Sequence, residues 1–255
     1  MIRSLVKTTI TSWLLLSLTA CVTTYDKEPK KPNMEKAKET HIRLGLQYLR
    51  QNNLDSSRFH LNKALKIDPD SAGAYSGLAA LMLREGDDVN AERFYQKAIR
   101  IDGDFPQARN NYGSFLYGKR RYSEALEHFQ SAAQNLNYDR RPLAFNNVGL
   151  TALALGDVSA AEKAFVRSIT LDSNMPRPYI ELAGIAQKKA EYTAALRLLD
   201  QYHLVSPYSP RSIEMELQIA TALGDKNREA SARLKLKTIF PNGKPLSTKQ
   251  SIGDR

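Results

Sequence analysis

The stretch LNKALKIDP, residues 61–69, contains a pattern that recurs along most of this chain. Leu61, Ala64 and Leu65 are three or four residues apart, which places them on one face of a helix. Asp68 and Pro69 mark the end of that helix, because the residue before a proline disfavours helical backbone. The stretch therefore predicts a short amphipathic helix followed by a turn.

The same pattern returns about every 34 residues. In each copy a small residue is followed four residues later by a large one and, after three more, by a third core residue. The aligned sets are Ala91, Tyr95 and Ala98; Ala125, Phe129 and Ala132; Ala161, Phe165 and Ser168; and Ala195, Leu199 and Tyr202. Small residues let two helices approach closely, and the large one fills the space beyond them.

A second recurring set precedes each of these helices. Its members are Leu44-Gly45 and Tyr48; Leu78-Ala79 and Met82; Tyr112-Gly113 and Leu116; Val148-Gly149 and Ala152; and Leu182-Ala183 and Ala186. Between the two sets stand Gly86-Asp87, Gly156-Asp157 and Gly224-Asp225, where glycine can end one helix and aspartate can cap the next. A period of this length predicts a repeated helix-turn-helix unit.

These positions resemble the tetratricopeptide repeat, in which Gly or Ala stands at position 8, Ala at 20, an aromatic at 24, Ala at 27 and Pro at 32. The resemblance implies an all-α fold, a superhelix of about six helix-turn-helix units over residues 38–241. The predicted units are 38–71, 72–105, 106–139, 142–175, 176–209 and 210–241. In the sixth, Glu229 replaces the expected Ala and Ala230 comes one place late, so we expect a slipped unit or a capping helix.

The amino-terminal residues 1–20 read as an export signal. Arg3 and Lys7 precede the apolar run at residues 13–16, which is too short to span a bilayer. The sequence Leu18-Thr19-Ala20-Cys21 resembles the lipobox of bacterial lipoproteins. It implies cleavage before Cys21, lipidation there with palmitate among the acyl chains, and, since Val22 is not Asp, the periplasmic face of the outer membrane. The alternative is an ordinary signal peptide followed by a chance cysteine.

Charge and composition describe the segments that flank the repeats. Loss of Arg3 and Lys7 with the signal would lower the net charge from +10 to +8, and an exported basic chain is expected to meet lipid headgroups or an acidic partner, not nucleic acid. Residues 21–37 are predicted to be a lipidated tether, because they are rich in proline and charge. Residues 242–255 are predicted to be a disordered polar tail.

The sequence offers little catalytic chemistry. Of its four histidines, His41 and His60 lie in the first predicted unit, His128 in the third and His203 in the fifth. No metal-ligand spacing, phosphate loop or nucleophile motif is present. We therefore expect no enzyme activity, metal, cofactor or small-molecule substrate. Glu124 and His128, four residues apart on one helix face, are the remaining catalytic candidates, and their alternative interpretation is a surface pair.

The repeat family binds partners in the concave groove formed by its first helices, which implies a set of groove residues here. They are Leu46, Leu49, Leu83, Asn110, Asn111, Asn146, Asn147, Leu150 and Leu153. The asparagine amides could hold the backbone of an extended peptide while the leucines receive its apolar side chains. Alternatively, the asparagines bond only to a neighbouring repeat, and the leucines only pack. The basic clamp of chaperone-binding relatives is not reproduced.

The combination of a lipobox, a short tether and the run LGLQYLRQNNLDSSRFHLNKALKIDPDSAGAYSGLA, residues 44–79, resembles the type IV pilus biogenesis lipoproteins, the pilotins of the PilF/PilW kind. That resemblance implies a scaffold that binds secretin subunits and promotes their localisation and multimerisation in the outer membrane. The remaining alternative is a repeat lipoprotein that serves as an adaptor for cell-wall hydrolases or for outer-membrane-protein assembly.

Overall fold

A computed structural model of the chain describes residues 33–241. The described residues form twelve α-helices and no strand. The helices are α1 (Met34–Arg50), α2 (Leu54–Ile67), α3 (Ala72–Glu85), α4 (Asp88–Ile101), α5 (Pro106–Gly118), α6 (Tyr122–Gln134), α7 (Arg141–Ala154), α8 (Val158–Leu171), α9 (Pro176–Lys188), α10 (Tyr192–Val205), α11 (Pro210–Leu223) and α12 (Lys226–Ile239). The predicted signal peptide, Cys21 and the tail 242–255 lie outside the described residues.

The helices pack as six consecutive pairs, units one to six, which confirms the predicted all-α repeat superhelix. The first helices of successive units contact one another, whereas the second helices make no comparable contacts among themselves. First helices therefore form the inner layer, and second helices form the outer layer. Each short turn reverses the chain so that every unit buries its apolar face against its neighbours.

The first helix begins earlier than the sequence predicts. Residues 34–37, assigned above to the tether, are the first turn of α1. The Asn33 side chain accepts a hydrogen bond from the Lys36 backbone N–H at 3.0 Å, and Glu35 lies in the first turn, where the helix dipole favours an acidic residue. The proline-rich composition of the preceding residues concealed this cap, so the predicted tether is four residues too long.

The turns inside the units use the predicted chemistry in units two, four and six. Gly86, Gly156 and Gly224 have positive φ, which glycine adopts without strain. The aspartate after each of them caps the next helix, as when Asp157 accepts from the Ala160 N–H at 2.8 Å. Units one, three and five place Asn52, Arg120 and Ala190 in the same left-handed conformation, which the sequence pattern did not predict.

The core between the two layers is built from the recurring small and large residues. In unit four, a Cβ added to Gly149 would lie 2.5 Å from Cε1 of Phe165, so glycine is needed for the ring to pack against α7. Gly113 stands in the same relation to Phe129, with a separation of 2.9 Å. These contacts confirm the packing inferred from the aligned residues and hold each pair of helices in register.

The sixth unit departs from the pattern in a way that differs from the sequence expectation. The fully buried small residue of α12 is Ala232, which packs with Ile213 and Phe240. Ala230 is exposed and Glu229 is half-buried. The buried small residue is therefore three positions after the expected position 229, not one. The carboxylate of Glu229 pairs with Arg233 at 2.9 Å.

Candidate partner-binding groove

All nine predicted groove residues lie on inner-layer helices, namely α1, α3, α5 and α7. Leu49, Asn110 and Asn146 are buried, and the other six are half-buried. Leu49 packs with Leu61 and Leu78, and Leu83 packs against the same cluster. The apolar patch expected from Leu46, Leu49 and Leu83 is therefore divided between the core and the surface.

Three of the four asparagines form a hydrogen-bonded bridge between units three and four. Asn147 Nδ2 donates to Asn110 Oδ1 at 3.1 Å, and Asn146 Nδ2 donates to Asn147 Oδ1 at 3.2 Å. This is the neighbour-to-neighbour bonding that the sequence left open as an alternative. The Oδ1 atom of Asn146 is buried and has no hydrogen-bond partner among the described residues.

Asn111 is placed differently. Its Oδ1 accepts from Gln107 Nε2 at 3.1 Å, and Gln107 Oε1 accepts from the Tyr138 hydroxyl at 3.4 Å. Within the described part of the chain, Nδ2 of Asn111 donates to no side chain or backbone group. Asn111 is therefore a half-buried donor that is oriented by its neighbour and can serve a bound group.

A small cleft opens beside this amide network. Its volume is about 100 Å³. It is lined by Ser114, Tyr117, Phe129, Asn147 and Leu150. Phe129, which the repeat pattern identifies only as a core aromatic, also contributes to its wall. The cleft combines an apolar lining with an amide at its edge, so one apolar side chain and a peptide group can be held together.

A wider cleft lies at the amino-terminal end of the inner layer. Its volume is about 690 Å³, and its apolar lining includes Ile42, Leu46, Ile101 and Phe105. The charged residues around it are Glu35, Lys38, Glu39, Arg43, Arg50, Asp68, Asp70 and Asp102. Acidic groups outnumber basic ones at this rim, so the cleft suits an apolar segment that carries positive charge.

At the carboxy-terminal end, the inner layer carries an ion cluster that was not among the predicted groove residues. The buried carboxylate of Glu181 accepts from Arg211 Nη1 and Nη2 at 2.9 and 3.0 Å and pairs with Arg177 Nε at 2.7 Å. Burial acts to raise the pKa of Glu181, but the hydrogen bonds and charge of Arg211, with help from Arg177, outweigh it and lower that pKa. Glu181 occupies the same position in its unit as Asn111 and Asn147 do in theirs. That shared position could have identified Glu181 as a groove residue from the sequence.

The catalytic candidates do not form a pair. Glu124 binds Arg121 at 2.6 and 2.7 Å, while His128 packs on the Tyr112 ring with a centroid distance of 4.7 Å. Among the described residues, no group of three or more His, Cys, Asp or Glu is placed to hold a metal ion. None of the helices in residues 33–241 is long and apolar enough to cross a bilayer.

Two half-buried histidines, His128 and His203, predict acid sensitivity. Burial lowers the pKa of His128, with a further lowering from the charge of Arg109, and burial likewise lowers the pKa of His203. The unfolded chain therefore binds more protons than the folded one below about pH 6.5, so stability falls as the pH decreases. We expect the free energy of unfolding to fall between about pH 7.5 and about pH 5.5, as measured by urea denaturation.

The control for this prediction is His128→Phe, which keeps an aromatic ring against Tyr112 and removes the titrating group. This variant should show a smaller fall in stability over the same pH interval. An identical pH dependence in the variant and the parent would contradict the assignment of this effect to His128.

Comparisons with known proteins agree with this geometry. Tetratricopeptide-repeat profiles match residues 48–110 and 117–176. The type IV pilus assembly protein PilF of Pseudomonas aeruginosa is 34% identical over 230 residues, which cover 89% of this chain and 91% of PilF. A protein of Haemophilus influenzae with no described function is 31% identical over 120 residues, 47% of this chain and 67% of that protein.

The fold of this chain is also similar to solved structures of proteins from type IV pilus biogenesis. The structure of Pseudomonas aeruginosa PilF superposes with a TM-score of 0.75 at 33% identity and covers 82% of this chain and 94% of that one. PilW, described as a widely conserved type IV pilus biogenesis factor, shares the fold with a TM-score of 0.68 at 24% identity, over 80% of this chain and 94% of PilW. The chain therefore belongs to the PilF family of tetratricopeptide-repeat proteins of type IV pilus biogenesis.

Proposed function

We propose that this protein is a non-enzymatic pilotin, a lipid-anchored scaffold that binds secretin subunits in its inner groove and promotes their localisation and assembly in the outer membrane. Family membership supports a role in pilus biogenesis. The secretin as partner, the lipid on Cys21 and the outer-membrane location are proposals that go beyond that membership.

The observation that carries the binding role is the cleft between α5 and α7. It presents a pocket for one apolar side chain, formed by Tyr117, Leu150 and Phe129, within the layer that also exposes the Asn111 amide. Extended peptides are recognised by this combination, in which main-chain hydrogen bonds supply affinity and pockets for side chains supply specificity. The groove is thus suited to a strand-like or extended segment of a partner.

The lipid would supply the location. Twelve residues, 22–33, separate Cys21 from α1. A flexible chain of that length has a root-mean-square reach of about 20 Å. Tethering at this distance raises the effective concentration of the groove near other membrane components, so a modest affinity is enough to hold a partner there.

The first experiment separates location from binding. Cys21→Ser should leave the purified protein able to capture secretin subunits, but secretin rings in the outer membrane should become scarce because the scaffold is no longer anchored. The measurement is the abundance and membrane fraction of heat-resistant secretin multimers. Normal rings and normal pili in this variant would contradict the lipid-dependent part of the proposal.

The second experiment addresses the groove. The double variant Asn111→Ala with Tyr117→Ala should remain in the outer membrane but lose secretin capture on the order of tenfold or more, since each truncated contact is worth about 1 kcal/mol. Leu136→Ala, which truncates an exposed side chain that does not line the cleft, is the matched control. Unchanged capture by the folded double variant would rule out this cleft as the binding site.

A further inference from the structure

The outer-layer helices expose one stripe of residues each, and its composition changes along the superhelix. We call this stripe the outer ridge. It contains three residues of each of the first four second helices, at spacing i, i+4 and i+7, which share one face. The ridge residues are Phe59, Lys63 and Lys66 in α2; Arg93, Lys97 and Arg100 in α4; Glu127, Ser131 and Gln134 in α6; and Lys163, Arg167 and Thr170 in α8.

Five of the six ridge residues in α2 and α4 are cationic, whereas the α6 ridge carries only an acidic and two neutral residues. Lys97 lies 3.6 Å from Asp70. The other four cations form no ion pair with any described residue. They are Lys63, Lys66, Arg93 and Arg100, and all four are exposed. The ridge is thus most positive on the outer face of the first two units, and α8 adds two further cations, Lys163 and Arg167.

The sixth ridge residue of α2 and α4, Phe59, is an exposed aromatic, and we call these six residues the basic patch. Phe59 has 56% of its surface exposed, and Lys63 Nζ lies 5.5 Å from its ring centroid. The ring belongs to no buried apolar cluster among the described residues, and its edge contact is with the half-buried His60, at a centroid distance of 5.2 Å. The headgroup layer of a membrane accepts both groups, because aromatic rings settle among the headgroups while lysine and arginine reach the phosphates.

We propose that the outer ridge of α2 and α4 binds the headgroups of anionic phospholipids and so fixes the orientation of the superhelix on the membrane. The position of the patch supports this occupant. Unit one is the unit that follows the tether, and, resting on the proposed lipid at Cys21, it is the unit held closest to the bilayer. The inner groove would then face away from the side that the membrane covers.

The test uses residues 22–255, which lack the signal and the lipid site but contain all twelve helices described above. The probe is sedimentation with vesicles of phosphatidylcholine, with and without phosphatidylglycerol. Binding should require phosphatidylglycerol and should be lost at about 0.5 M salt. Each basic residue near such a surface contributes about fivefold, so Lys63→Glu with Arg93→Glu should weaken binding on the order of 25-fold or more.

The matched control is Lys163→Glu with Arg167→Glu, which makes the same charge change on the same ridge in unit four. Its binding should change less than about threefold. Phe59→Ala should also weaken binding, without changing the net charge. Equal loss in the two double variants, or equal binding to vesicles without phosphatidylglycerol, would overturn the proposal.

A short DNA duplex is the competing polyanion. If the protein binds it as tightly as the anionic vesicles and Phe59→Ala has no effect on either, the patch is a general anion surface and the lipid assignment is wrong. Secretin capture by the groove is measured separately, so failure here leaves the proposed scaffold role intact, and failure of secretin capture leaves the lipid surface intact.

Discussion

Replacing Phe165 with alanine is expected to lower the free energy of unfolding by about 3 to 5 kcal/mol, the range for removing a fully buried aromatic side chain. The side chain has no exposed surface, and the ring packs against Gly149 across the pair of helices in unit four. Its loss leaves a cavity between α7 and α8 that the helices cannot close without losing their contacts with the neighbouring units.

Urea denaturation followed by circular dichroism measures this loss. The matched control is Val166→Ala, the next residue in the chain, whose side chain is 47% exposed and whose truncation should cost less than about 0.5 kcal/mol. Because each unit contacts only its neighbours, the destabilised unit should open before the ends of the array and broaden the transition. A loss below about 1 kcal/mol for Phe165→Ala would contradict the packing described above.

The repeat architecture was predictable because each unit encodes its own packing locally. A small residue such as Gly149 and a large one such as Phe165 recur at fixed separations, and only a pair of close helices places them in contact. Repetition of that relation along the chain then implies a stack, since no single unit can bury its apolar face alone. The helix pairs and their order follow from these positions.

The predictions were wrong at positions where two local sequence features favour different structures, or where a contact distant in sequence decides the packing. Asn33 caps α1 within a stretch whose proline and charge content favours a linker, so composition concealed the helix start. In α12 the residue that packs, Ala232, is selected by its contact with Ile213 and Phe240, which a count of positions cannot supply. Arg120 and Ala190 adopt the left-handed conformation at turn positions without glycine, so the glycine pattern did not reveal these two turns.

The groove was predictable only in outline. Family positions placed the correct helices on the inner layer, but the bonds within it join residues far apart in sequence, as between Asn110 and Asn147 or Glu181 and Arg211. Such pairing depends on how two units are rotated relative to each other. The resulting groove has an acidic, apolar end, an amide-rich centre and a guanidinium-bearing end, and this polarity would set the direction of a bound segment.

The second prediction with a large effect on stability concerns the ion cluster of Glu181, Arg177 and Arg211. Arg211→Ala is expected to lower the free energy of unfolding by about 2 to 3 kcal/mol at neutral pH, because it leaves the buried Glu181 carboxylate with Arg177 alone. The expectation is below the roughly 3 to 5 kcal/mol for a fully buried pair, since half of the Arg211 side chain is exposed and water replaces part of the lost interaction.

The pH dependence identifies the cause of this loss. In the parent protein the lowered pKa of Glu181 gives stability that is present above about pH 4.5 and is lost as the pH falls through the folded-state pKa. Without Arg211 the carboxyl group accepts a proton more readily, so the difference between variant and parent should shrink as the pH falls from about 7 toward about 4. Urea denaturation at several pH values measures this difference.

The control is Arg177→Ala, which removes a single bond from a more exposed partner and should lower the free energy of unfolding by less than about 1 kcal/mol. If Arg211→Ala loses the same stability at every pH, the arginine acts through the packing of its stem and not through its charge.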